Sequence, residues 1–193
     1  MHSSRKPLFF VLAALLATAA CGGADTTTPE MAQTPAEATV DGSAVRRELI
    51  DDWEGQKDTL AAIADAMPEG MWGFRPTPQQ RTYGEQVMHI AEINTKLLGL
   101  VGGTAAAPTF PADAAMTKAA SLQAMQQSYD YGIALLNELT DAQVLETVDA
   151  AFMGQSTRAR VFWFLLGHSM DTYGQMAVYL RLNGVVPPAS RGV

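Results

Sequence analysis

From about residue 43 the apolar positions recur at helical spacing almost to the end of the chain. Val45, Leu49, Gln56, Leu60, Ile63 and Met67 fall on one stripe, with Arg46, Arg47, Asp51, Glu54 and Asp58 mostly elsewhere, which predicts a first helix. Pro68-Glu69-Gly70 ends it, and Met71 to Pro78 reads as a loop with two prolines. Thr82-Tyr83-Gly84-Glu85 has the spacing of a capping box, in which the hydroxyl and the carboxylate satisfy amides that the first turn leaves unpaired. A second helix follows to about Val101, with Tyr83, Val87, Ile90, Leu97, Leu98 and Val101 inward, until Gly102-Gly103 stops it.

Residues 102–113 form a Gly/Ala/Pro loop. Leu122, Met125, Tyr129, Ile133 and Leu136 mark a third helix. Thr140-Asp141-Ala142-Gln143 is a second capping box opening a short turn, and the β-branched residues between Val144 and Gly154 suit an extended link. Ser156 is placed to cap a fourth helix running to about Asn183, where Gly184 and then Pro187-Pro188 forbid continuation. Four helices without a convincing strand predict an all-α fold, an up-and-down or crossover four-helix bundle over residues 41–193.

The N-terminus has a different character. A short polar, basic stretch, His2 to Lys6, precedes an apolar run from Pro7 to Ala20. That is the pattern of a secretory signal over residues 1–20, too short for a comfortable membrane span. Leu16-Ala17-Thr18-Ala19-Ala20-Cys21 resembles a bacterial lipoprotein cleavage site, although Thr18 stands where leucine is preferred. The resemblance implies a lipidated Cys21 and a protein of the cell envelope anchored to a membrane. The alternative is a cleaved signal and a soluble periplasmic or secreted protein with a free thiol. Cys21 is the sole cysteine, so the chain has no internal disulfide and no cluster of thiolate ligands. Residues 21–40 are rich in Thr, Ala, Pro, Glu and Gly, a composition that buries no core and suits a flexible tether.

Of 13 basic side chains, Arg5 and Lys6 leave with the signal; 11 remain against 20 acidic ones, a net charge near −9. That balance argues against nucleic acid and against electrostatic attachment to anionic lipid.

The candidate chemistry lies on the inward faces. In the fourth helix Val161, Leu165, His168, Thr172, Gln175 and Tyr179 share one stripe. In the second, His89 stands at the stripe edge near Gln86 and Ile93, with Glu85 and Glu92 about one turn to either side. Polar groups turned inward need partners: another side chain, water or a metal. Two core histidines hydrogen-bonded to each other, to Thr172, to Gln175 or to water would satisfy that need without any ligand. No Gly-rich phosphate loop follows a strand, no serine occupies a nucleophile elbow, and the adjacent His168 and Ser169 point about 100° apart on a helix.

The order of these pieces resembles the DinB-like superfamily of four-helix bundles. The segment from Phe74 through Pro78, then Arg81 to Glu92, is similar to the family's approach to its first histidine. His168, Gly174 and Gln175 match its second signature, and Leu182 to Pro188 its ending. The resemblance implies a divalent metal, such as zinc, nickel or iron, held by three histidines. Those positions fall on His89, His168 and Thr172, so the third ligand is replaced. A hydroxyl is a poor ligand for these ions. Asp171 and Glu85 are candidate substitutes, and Gln175 a polar group of the pocket. The resulting expectation is an exported, lipid-anchored binding or structural module with an incomplete metal site and an unidentified small-molecule ligand. The alternative is a metal-dependent enzyme, of hydrolase or thiol-transferase type, that recruits another third ligand. A homodimer suits a bundle with a broad apolar surface, with no interface marked in the sequence.

Overall fold

The computed structural model describes residues 41–192; the signal, Cys21 and the tether lie outside them. Four helices form: α1 (Gly42–Asp65), α2 (Tyr83–Leu98), α3 (Lys118–Glu138) and α4 (Arg158–Leu182). Packing joins α1 to α3, α3 to α2, α2 to α4 and α4 to α1. Consecutive helices α1 and α2 therefore sit across a diagonal, as do α3 and α4. This is the crossover arrangement, and it makes α2 and α4 neighbours. Among the described residues no helix is long and apolar enough to cross a membrane.

The sequence periodicity explains the core. Leu49, Leu60, Ile63 and Met67 from the first stripe are buried, as are the five stripe positions within α2 and Val101 just beyond its end. Met125, Tyr129 and Leu136 fill the α3 side, and Val161, Leu165 and Tyr179 the α4 side. Trp53 lies at the centre, its ring 4.9 Å from that of Tyr129 and 5.4 Å from that of Phe162. Gln56, polar within its stripe, donates to the Leu166 carbonyl at 2.9 Å and the Tyr129 hydroxyl at 3.3 Å, tying α1 to α4 and α3. Thr39–Val193 forms a compact unit by itself, and the core of the described residues lies within it. A compact unit with its own buried core is the kind of segment that folds by itself.

Local chemistry sets the helix ends. Thr82 and Glu85 form the expected reciprocal cap: the Thr82 N–H donates to Glu85 Oε2 at 2.6 Å, and the Glu85 N–H to Thr82 Oγ1 at 3.2 Å. Thr140 and Gln143 repeat the device over a short 3-10 turn. At the far end of α4, Gly184 takes φ 71°. Its N–H donates to the Arg181 carbonyl at 3.0 Å and that of Val185 to the Leu180 carbonyl at 2.9 Å, a Schellman ending.

Two expectations need correction. The extended link is a small antiparallel hairpin of β1 (Thr147–Asp149) and β2 (Gln155–Thr157). Thr157, not Ser156, caps α4, accepting from the Arg160 N–H at 3.2 Å; Ser156 points inward within β2 and donates to the Met153 carbonyl. Arg158 donates to the carbonyls of Val101 and Gln143 at 2.7 and 3.0 Å and to Glu146 at 2.8 Å, stapling α4 to two loops.

The loop between α1 and α2 is anchored by Trp72, whose Nε1 donates to the Ala115 carbonyl at 3.1 Å. Gly84 sits beneath it: a Cβ there would stand 2.1 Å from the Ala115 oxygen and 2.3 Å from Trp72 Nε1. Gly84→Ala should therefore destabilise the domain by about 1–3 kcal/mol in denaturant melts. Gly55→Ala, on the exposed face of α1 with nothing within 4 Å, should stabilise it by about 0.5–1 kcal/mol. Equal effects would contradict this packing.

Candidate functional site

The α2–α4 contact brings the two histidines together. His89 Nε2 and His168 Nε2 lie 3.1 Å apart, with ring centroids at 4.9 Å. Both rings are half-buried. One turn towards the start of α2, Gln86 is buried at 2% exposure. Its Nε2 donates to Gln175 Oε1 at 2.9 Å and to the Tyr179 hydroxyl at 3.3 Å, while Tyr179 donates to the Arg81 carbonyl at 3.0 Å. A ladder of polar contacts thus runs along the seam between the two helices.

The remaining predicted positions are occupied in other ways. Thr172 is buried at 1% exposure, and its hydroxyl donates to the His168 carbonyl at 3.2 Å, one turn back on its own helix. Asp171 is exposed and accepts from Gln175 Nε2 at 2.9 Å. Glu85 is engaged by the cap of α2, with Arg75 at 3.7 Å on the same oxygen. Gln175 is exposed rather than inward, yet its oxygen reaches the buried Gln86. Among the described residues no group of three or more His, Asp, Glu or Cys side chains stands together as a metal site would require.

The protonation of the pair bears on the same question. His168 Nδ1 is buried without a partner. A buried unpaired N–H is the rarer and costlier defect, so the proton belongs on His168 Nε2, donated to His89 Nε2. His89 then carries its proton on Nδ1. A metal bound at His168 Nε2 would force the proton onto Nδ1, where ligating histidines find an acceptor and this one has none. The donor set and the orphaned nitrogen together do not fit a three-ligand metal centre.

Both imidazoles are held neutral. Burial pushes His89 down from 6.5 to about 4, helped by the charge on Arg81 and by His168. Burial also lowers His168, with Asp171 opposing the shift and Arg81 reinforcing it. Each histidine borders a cleft. His89 lines a polar one of about 400 Å³ with Arg75, Arg81, Gln79, Glu85 and Glu92. His168 lines an apolar one of about 380 Å³ that includes Phe164 and the hairpin tip. Sequence reasoning missed the hairpin and the role of Arg81: the stripe pattern reports which face is inward, not which loop covers it.

The comparisons with known proteins agree with this architecture. A family model described as the DinB superfamily matches residues 52–176. The crystal structure of a DinB-like protein from Bacillus cereus ATCC 10987 aligns with a TM-score of 0.59, at 18% identity, over 74% of this chain and 95% of that one. At that identity the likeness is one of fold. No curated protein matches the chain.

A pH dependence follows from the neutral pair. The unfolded chain binds protons at His89 below about 6.5 and the folded one only near 4, so this stabilisation is complete above pH 6.5 and is lost as pH falls through 4. The ring resonances of His89 should titrate with a midpoint near 4. A midpoint at the ordinary value of 6.5 would contradict its burial.

Proposed function

The chain belongs to the DinB superfamily, and from that premise we propose that it is an exported, lipid-anchored binding module whose family metal site has become a metal-free histidine pair. The observation that carries this reading is the 3.1 Å contact between His89 Nε2 and His168 Nε2. The two nitrogens that would face a metal instead satisfy each other, and the third ligand position is Thr172, engaged with its own helix. The pair then closes the α2–α4 seam and shapes the clefts beside it. Anchoring rests on the signal-like run and the sole cysteine at its end. A module held at a membrane by a tether of residues 21–40 would present its clefts to solutes of the cell envelope.

The test is the metal content of residues 41–193, purified without a histidine tag, together with melting curves with and without chelator. The expected result is a sub-stoichiometric metal content and a melt indifferent to chelator. Near-stoichiometric zinc, nickel or iron with a chelator-sensitive melt would overturn the reading and point to the enzyme alternative, with His89 and His168 as ligands. Thr172→His probes the same position. Apparent zinc-binding energies of about 10–16 kcal/mol spread over four ligands give about 3 kcal/mol for one. The variant should therefore bind zinc about a hundredfold more tightly than the parent, as measured by competition with a chromophoric chelator.

A further inference from the structure

The apolar cleft beside His168 is walled by Ile93 and Leu97 of α2, Phe164 of α4, and Ala151 and Phe152 of the hairpin tip, with Lys96 at its rim. Its volume of about 380 Å³ falls within the range of small-molecule sites, about 300–1,000 Å³. The hairpin tip is built at a cost. Ala151 takes φ 55°, the left-handed region that non-glycine residues rarely adopt, and its N–H is held by Asp149 Oδ1 at 3.1 Å. That turn projects Phe152 outward at 70% exposure while keeping its ring edge-on to Phe164, 5.3 Å between centroids. Phe164 in turn stacks on His168 at 6.3 Å and 21°. A strained turn that holds a large aromatic ring over an apolar hollow is arranged to cover something.

Lys96 supplies the charge. Among the described residues Lys57 and Lys118 are ion-paired, whereas Lys96 pairs with no carboxylate. The chain is strongly acidic, with a net charge of −7, so a bare anion gains nothing from the overall field. A polyol would lose its water against apolar walls without replacement hydrogen bonds. We infer that this cleft binds a small carboxylate with an apolar body, an aryl or alkyl acid, whose body lies between Phe152, Phe164, Ile93 and Leu97 and whose carboxylate meets Lys96. The inference rests on the reading of the protein as a binding module and names the class of its ligand.

Octanoate and its uncharged analogue 1-octanol are the probes, titrated into residues 41–193 by calorimetry and by NMR shifts. Octanoate should bind saturably and perturb Ile93, Leu97, Phe152 and Phe164. Lys96→Gln should weaken octanoate about fivefold or more and leave 1-octanol unchanged, while Phe152→Ser should weaken both. Lys96 and Phe152 are exposed, so both variants should melt like the parent. Absence of saturable octanoate binding, or an equal loss of both probes in Lys96→Gln, would overturn the assignment. Repeating the titration with chelator separates the two readings. Octanoate binding that survives chelation supports both; binding that requires metal keeps the cleft assignment and overturns the metal-free pair. A metal-free protein that ignores octanoate loses the cleft assignment alone.

Discussion

The structure depends on a single constraint: polar side chains set at the contact between two neighbouring helices must find partners across it. The crossover connections put α2 beside α4, and the seam between them carries His89, Gln86, His168, Gln175 and Tyr179. An unpaired buried polar group costs about 1–3 kcal/mol, so the buried Gln86 and Tyr179 and the half-buried histidines constrain the register of the two helices. His89 against His168 fixes one level, and Gln86 against Gln175 and Tyr179 fixes another. The cap of α2 and the anchoring of Trp72 set where that helix begins, and so which of its side chains meet α4.

Electrostatics decides the state of the pair. Two imidazoles 3.1 Å apart cannot both be charged, and with both rings neutral one Nε2–H donates to the other Nε2. Burial and Arg81 press both in that direction, while Asp171 pulls His168 the other way. Asp171 is exposed and bonded to Gln175, so its pull is screened by water. On the proposed reading, Thr172 at the third ligand position is accommodated by the same arrangement. Threonine fills the buried position and returns its hydroxyl to the His168 carbonyl, so that hydroxyl is itself paired.

Much of this was legible in the sequence because it is local. Helix periodicity marks Leu49, Leu60, Ile63, Val87, Ile90 and Leu165 as core, and the spacing of Thr82 to Glu85 and of Thr140 to Gln143 marks two caps. Two polar positions on inward stripes also announced His89 and His168 as partners. What was not legible depends on tertiary placement. Gln175 lies on the predicted stripe yet is exposed, because α4 packs against α2 on one side and α1 on the other and the stripe edge reaches solvent. Ser156 and Thr157 are equally good capping residues; pairing of β1 with β2 turns Ser156 inward and leaves the cap to Thr157. The hairpin itself was hidden, since three-residue strands carry too few alternations to register as a pattern. Phe152 and Lys96 come together only through that hairpin.

The central claim is that His89 and His168 share a proton in place of a metal. The most direct measurement is through-hydrogen-bond coupling between the two Nε2 nuclei by nitrogen-15 NMR on residues 41–193, at neutral pH, before and after one equivalent of zinc. The account predicts a resolved coupling, with His168 protonated on Nε2 and His89 on Nδ1, and spectra unchanged by zinc. Loss of the coupling on adding zinc, with both Nε2 signals moving to the shifts of metal-bound imidazole, would contradict it.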